Sequence, residues 1–139
     1  MFRALLDTNV IISATRYGGI PRECLRRGLG GELVLVTSRE LLDELERTLS
    51  RRFAMGTEVA AFIRRDIESV SEIVDVTAVE RVARDPADDM VVAAARAGNV
   101  DHLVTGDRDL LELDVPALSI VTPRRFIEIL DAASNRGSR

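Results

Sequence analysis

The chain contains no lysine: all nineteen of its cationic side chains are arginine. It has one cysteine, Cys24, and one histidine, His102. A lone cysteine excludes a disulfide framework and any thiolate zinc site built within one chain. Cys24 falls among Leu25 and Leu29 of a predicted helix and reads as a packed thiol, and His102 has no second histidine to pair with. Serine, cysteine and zinc hydrolase chemistries therefore find little support. No stretch approaches the roughly 20 apolar residues of a membrane span. The first apolar run breaks at Asp7, unlike a signal peptide, so a cytoplasmic protein is expected. A net charge of −4 gives no overall basic field for nucleic acid. Arginine suits bidentate phosphate contact, although a lysine-free composition equally fits biased codon usage. What is present is ordinary: 139 residues, 46% hydrophobic and 30% charged, enough for one domain with a core that needs no cross-links.

Short apolar runs alternate with amphipathic stretches. Phe2 to Leu6, Leu33 to Val36, Ile73 to Val76, His102 to Thr105 and Leu118 to Val121 read as buried strands. A helix is expected from Thr8 to Ala14, capped by Thr8 or Asn9. After the Gly18-Gly19 break, Pro21 opens a second helix to about Leu29, closed by Gly28, Gly30 and Gly31. Ser38 caps a third, with Leu41, Leu42, Leu45 and Leu49 on one face. A fourth runs from about Glu58 to Val70, with Val59, Phe62, Ile63 and Ile67 inward. Asp85-Pro86 opens a helix that is apolar nearly all round, so deeply buried, and stops at Gly98-Asn99. Thr122-Pro123 starts the last helix, ending near Ala133, and a disordered tail is expected from Ser134 to Arg139. The alternation predicts an α/β fold, with one domain over residues 1–133. It is a three-layer α/β/α sandwich around a central, mostly parallel five-stranded sheet.

In such sheets, sites form beyond the carboxyl ends of the strands. Asp7 directly follows Ala4-Leu5-Leu6, and Asp107 follows Leu103-Val104-Thr105-Gly106. If strands one and four are neighbours, these acids face one another. Converging carboxylates repel, and burying each costs several kcal/mol unless a cation sits among them. With no lysine and one histidine, a divalent metal held through oxygen is the expected neutraliser. Each acid also has a plainer reading. Asp7 can cap a helix, but Thr8 and Asn9 can fill that role. Asp107 can belong to a turn, and Asp109 can cap the turn into Leu110-Leu111. Asp85, Asp88 and Asp89 can serve a helix N-terminus, yet three acids in five residues exceed what capping requires. On the Ser38 helix, Glu40 and Asp43 point away from the leucine face, while Glu44 and Glu46 lie on its borders. Periodicity does not choose between these two.

Four segments in this order resemble the PIN-domain family of metal-dependent ribonucleases, in particular the VapC-like toxins of bacterial toxin–antitoxin pairs. They are Leu5-Leu6-Asp7-Thr8-Asn9-Val10; Ser38-Arg39-Glu40-Leu41-Leu42-Asp43-Glu44-Leu45; Asp85-Pro86-Ala87-Asp88-Asp89 with the alanine-rich helix after it; and Thr105-Gly106-Asp107-Arg108-Asp109-Leu110. The resemblance spans Leu5 to about Ile129 and implies a PIN-like fold. It places the family's acidic quartet at Asp7, Glu44, Asp88 and Asp107 as metal-holding catalytic residues. Asp88, seven residues before Ala95, fits the family spacing better than Asp89. Asn9, Thr105, Asp85 and Asp109 become the supporting polar shell.

The implied cofactor is Mg2+ or Mn2+, since the donors are oxygens. The implied reaction is in-line attack of water on an RNA phosphodiester, leaving a 5′-phosphate and a 3′-hydroxyl. RNA would be held by arginines, with Arg47, Arg51, Arg52 and Arg108 as candidates beside Arg16 and Arg22. The implied partners are a small antitoxin protein and a second copy of the chain in a homodimer. Two other readings compete. One is an aspartyl-phosphate enzyme or receiver, which commonly uses a lysine that this chain lacks. The other is a non-catalytic module whose acids hold an ion or a basic partner.

Overall fold

A computed structural model describes residues 1–53 and 56–137. Five strands and seven helices follow in the order β1 (Arg3–Leu6), α1 (Thr8–Arg16), α2 (Gly19–Leu29), β2 (Val34–Thr37), α3 (Arg39–Arg51), α4 (Thr57–Val70), β3 (Ser71–Ile73), α5 (Pro86–Ala97), β4 (His102–Val104), α6 (Arg108–Leu111), β5 (Ser119–Val121) and α7 (Pro123–Gly137). The sheet order is β3-β2-β1-β4-β5, and every pairing is parallel. β1 lies at the centre, with Leu5 opposite Leu103 and Leu6 opposite Val104.

Side chains alternate across a strand, and β1 feeds two cores. Ala4 and Leu6 join Leu42, Leu45, Leu49, Cys24 and Phe126 on one face. Leu5 joins Val36, Val91, Val92, Ala94 and Leu103 on the other. Helices thus cover both faces, which explains why the central strands β1, β2 and β4 are mostly apolar. Cys24 is fully buried, its thiol pushed up to about 11 by burial. His102 sits edge-on between the rings of Phe2 and Phe126, and burial lowers its pKa. Cys24 is a packing residue, as expected, and His102 is packed as well. Among the described residues no helix is long and apolar enough to cross a membrane.

Four local expectations need correction. β3 is Ser71–Ile73, not Ile73 to Val76: pairing with β2 sets Leu35 opposite Ser71 and Thr37 opposite Ile73. The Val74 amide still donates to the Thr37 carbonyl at 2.9 Å where the ladder ends, and Val74 and Val76 pack under α5. On α4 the inward stripe is Ala60, Ile63 and Ile67, whereas Val59 is 50% and Phe62 63% exposed. Small Ala60 lets the helix lie close on the core, which rotates those two residues to the flank. Gly28 lies inside α2 rather than after it. The last helix reaches Gly137, beyond Ala133, so the tail expected from Ser134 is helical over its first four positions. Residues 138 and 139 lie outside the described residues.

Gly28 marks where α2 approaches the sheet. A Cβ there would stand 2.7 Å from the Leu35 side chain. Gly28→Ala is therefore expected to lower stability by about 1–3 kcal/mol, the usual cost of overpacking. Denaturant unfolding measures it, and an unchanged midpoint would show that α2 has room to move.

Candidate active site

The chain leaves β1 towards β2 on one side, while β4 pairs on the other. The gap above the β1–β4 pair is the topological switch point of this sheet. Asp7 and Asp107 sit there. The Asp7 amide donates to the Val104 carbonyl at 2.9 Å, which locks the end of β1 onto β4. Thr105 is fully buried between the two acids. Its Oγ1 donates to Asp7 Oδ2 at 2.8 Å and accepts from the Asp107 amide at 3.0 Å. One hydroxyl thus orients both segments.

Asp7 is 6% exposed and holds the N-cap position of α1 in place of the expected Thr8 or Asn9, which lie inside the helix, although its side chain makes no capping bond. Burial raises its pKa. The Thr105 bond and the fields of the Asn9 and Thr8 amides oppose that rise, and the Asp107 charge adds to it. Asp107 does cap a helix: its Oδ1 accepts from the Asp109 amide at 2.9 Å at the start of α6. The cap expected at Asp109 is thus supplied by Asp107, whose turn role does not compete with its place in the cluster. Asp109 and Asn9 are exposed beside it. Asn9 shares with Ser13, Gly106 and Asp107 a cleft of about 310 Å³. A larger hollow of about 820 Å³, lined by Phe2, Arg27, Asp101 and Asp131, lies away from the acids and holds no cluster of reactive groups.

The structure decides between Glu44 and Glu46. Ser38 caps α3 through a 3.3 Å bond from the Leu41 amide, which sets the helix's rotation. Arg64 of α4 then takes both Asp43 and Glu46 in ion pairs. Glu44 is left half-buried and unpaired. Burial and the charges of Asp7 and Asp85 raise its pKa, while Arg47 opposes the rise.

The three acids opening α5 divide their tasks. Asp85 is the cap, its Oδ1 accepting from the Ala87 amide at 3.0 Å. Asp89 turns away from the cluster. Its Oδ1 accepts from the Val82 and Ala83 amides, each at 2.8 Å, and its Oδ2 meets the Arg81 guanidinium at 3.1 Å. It clamps the irregular segment before α5, and these bonds hold its pKa below the usual range. Nothing in the sequence distinguishes that role, because the partners are backbone amides. Asp88 points into the cluster. Burial first, then Asp107, Asp85, Asp7 and Asp109, push its pKa up to about 6.

Asp7, Glu44, Asp88 and Asp107 therefore share one electrostatic neighbourhood, and none of them forms an ion pair among the described residues. No three acid, cysteine or histidine side chains among the described residues stand as a closed metal-ligating group. The donor set, carboxylates with a hydroxyl and no thiolate or imidazole, nevertheless fits a hard divalent cation. The raised pKa values mark uncompensated negative charge that such an ion would neutralise. Of the arginine candidates, Arg47 is exposed beside Glu44, Arg108 is exposed beside Asp107, and Arg51 and Arg52 are exposed at the end of α3. Arg22 is engaged internally, donating to the Ala14 carbonyl at 3.2 Å. Arg16 lies over the Phe53 ring, a contact the sequence did not announce.

The sign of the pH dependence follows from Asp88. Its folded pKa of about 6 stands above the ordinary 3.8, so the folded state holds the proton more tightly. In the protein without divalent cation, the contribution of Asp88 to stability is expected to be fully present below the ordinary carboxylate range and to be lost as pH rises through about 6. Asp88→Asn should raise the melting temperature near neutral pH in chelator, and reduce the further rise on adding Mg2+. A variant that melts lower than the parent at neutral pH contradicts this account.

The model of the PIN domain matches residues 3–109, a span that contains all of these acids. No curated protein sequence matches the chain. Among solved structures, VapBC2 from Rickettsia felis, bound to a DNA fragment from its promoter, is similar in fold. The match has a TM-score of 0.62 at 18% identity and covers 86% of this chain and 98% of that one. PAE2754 from Pyrobaculum aerophilum is similar as well, with a TM-score of 0.65 at 14% identity over 94% of this chain and 90% of that one. At these identities the two structures speak for the fold alone. The family match covers the larger part of the sequence and every strand that carries an acid, and the chain belongs to the PIN domain family.

Proposed function

We propose that this protein is a metal-dependent endoribonuclease and acts as the toxin of a toxin–antitoxin pair. The observation that carries the reading is the unpaired carboxylate cluster at the β1–β4 switch point, with Thr105 oriented on two of its members. Asp7, Glu44, Asp88 and Asp107 would hold Mg2+ or Mn2+, directly or through water. Bound there, the ion supplies Lewis-acid activation of water and charge neutralisation at the scissile phosphate. Thr105 fixes the Asp7 carboxylate and the Asp107 backbone, Asp85 holds the first turn of α5, and Asn9 and Asp109 border the opening. Water attacks phosphorus in line and the 3′-oxygen leaves, so the products carry a 5′-phosphate and a 3′-hydroxyl. No histidine base takes part, in keeping with His102 packed between phenylalanines.

The same reading assigns a small antitoxin partner and a homodimer in the cytoplasm. The Rickettsia felis neighbour, a VapBC2 assembly, supports the partner. An arginine or helix of the antitoxin, set against the acids, would offset their charge.

The direct test is cleavage of short single-stranded RNAs with Mg2+, Mn2+ or chelator. Activity should require the metal and be lost in Asp7→Asn and Glu44→Gln. Thr105→Val, which removes a hydrogen bond behind the proposed ligands, should cost roughly 10–100-fold in activity or metal affinity. Cleavage that survives chelation and Asp7→Asn alike defeats the proposal. Replacing Arg51 and Arg52 together should weaken RNA binding and flatten its salt dependence. An unchanged salt slope removes both from the RNA path.

A further inference from the structure

α1 and α3 lie side by side and run in the same direction. Asp7 at the start of α1 acts electrostatically on Glu44, midway along α3. At the helix ends the Arg16 guanidinium lies 4.1 Å from the Phe53 ring centroid and 5.5 Å from that of Tyr17. The Arg52 guanidinium lies 6.0 Å from the Phe53 centroid. Phe53 is anchored against the core, so the group has a fixed base. Tyr17 is 75% exposed and is the largest exposed aromatic surface on this part of the molecule. Arg16 and Arg52 pair with no carboxylate among the described residues, in a chain that carries 23 acids. They spend their guanidinium faces on aromatic rings and leave their edges free. Nine helical residues separate the acids from this group, about 14 Å at the 1.5 Å rise per residue.

An exposed ring beside an unpaired arginine, which itself stacks on a second, anchored ring, has a recognised chemical complement. It is the face of an unpaired base with its neighbouring phosphates: bases stack on aromatic and guanidinium planes, and guanidinium edges bind phosphate bidentately. We propose that Tyr17, with Arg16, Arg52 and Phe53 behind it, is a stacking platform for one unpaired base of the RNA strand, a few nucleotides from the phosphate held at the acids. This rests on the reading of RNA as the substrate and deepens it. It makes the α1–α3 edge the place where single-stranded substrate is told from duplex, whose bases are already stacked on one another.

Tyr17 is the sole tyrosine and the chain has no tryptophan, so intrinsic emission excited at tyrosine reports this one position. The full-length protein, in chelator to prevent cleavage, is titrated with a short single-stranded RNA, with its duplex, and with an abasic strand of the same length and charge. The single strand should change Tyr17 emission, while the duplex and the abasic strand should bind more weakly and change it little. In labelled-RNA binding, Tyr17→Ala should weaken affinity roughly 5- to 150-fold, the span of 1–3 kcal/mol for one base–aromatic stack. Tyr17→Phe, which keeps the ring, should retain it. Tyr17 is exposed, so either variant should keep its fold, which circular dichroism checks. Equal affinity for the abasic strand overturns the proposal, as does unchanged RNA binding by Tyr17→Ala, or a Tyr17 signal that follows protein concentration and ignores RNA. The two readings fail separately. Metal-dependent cleavage with a silent Tyr17 removes the platform and leaves the nuclease, whereas a base-dependent Tyr17 signal without cleavage removes the nuclease and leaves the platform.

Discussion

One threonine hydroxyl holds the two segments that define this site. Thr105 lies at the end of a central strand, fully buried, and spends its single proton on Asp7 while its lone pairs receive the Asp107 amide. The carboxylates it organises repel one another, and burial raises the cost of their charge further. The fold tolerates this because the strands beneath them are packed on both faces, and parallel pairing leaves their ends little freedom to separate. The free energy that gathers the acids comes from apolar packing below the site. The acids themselves are a local liability.

The opening turn of α5 shows how neighbouring residues of one type acquire different physical tasks. Successive helical positions are about 100° apart, so Asp85, Asp88 and Asp89 face a capping amide, the acid cluster and the preceding segment in turn. Asp89 is the most buried of the three, yet two amides bond its Oδ1 and an arginine charge faces its Oδ2. Asp88 has only like charges for neighbours. That difference, more than burial, separates a paired structural carboxylate from one left with uncompensated charge. α3 repeats the pattern: Arg64 neutralises Asp43 and Glu46 and leaves Glu44 to the cluster.

Where expectation and structure differ, the cause is tertiary contact at the periphery. β3 is an edge strand, and its register answers to β2 rather than to its own valines. Val59 and Phe62 satisfy the helical period as well as Ile63 and Ile67 do. Only the close approach of Ala60 to the core decides which stripe turns inward. The Arg16–Phe53 contact joins residues 37 positions apart, a separation over which sequence periodicity carries no signal.

The sequence alone determined the layered α/β architecture, the acids that end strands one and four, and the caps at Ser38 and Asp85. Each of these is a local consequence of hydrophobic period, strand length or a side chain's reach to its own backbone. Glu44 was reached through resemblance to a family, since periodicity left it level with Glu46. Only the tertiary structure decided that β1 and β4 adjoin, that Glu44 rather than Glu46 stays unpaired, that Asp89 serves the backbone while Asp88 faces the cluster, and that Arg16 meets Phe53. Those outcomes depend on which distant charges and surfaces arrive at each position. Electrostatic and packing energies act through space, whereas the patterns legible in a sequence extend only a few residues along the chain.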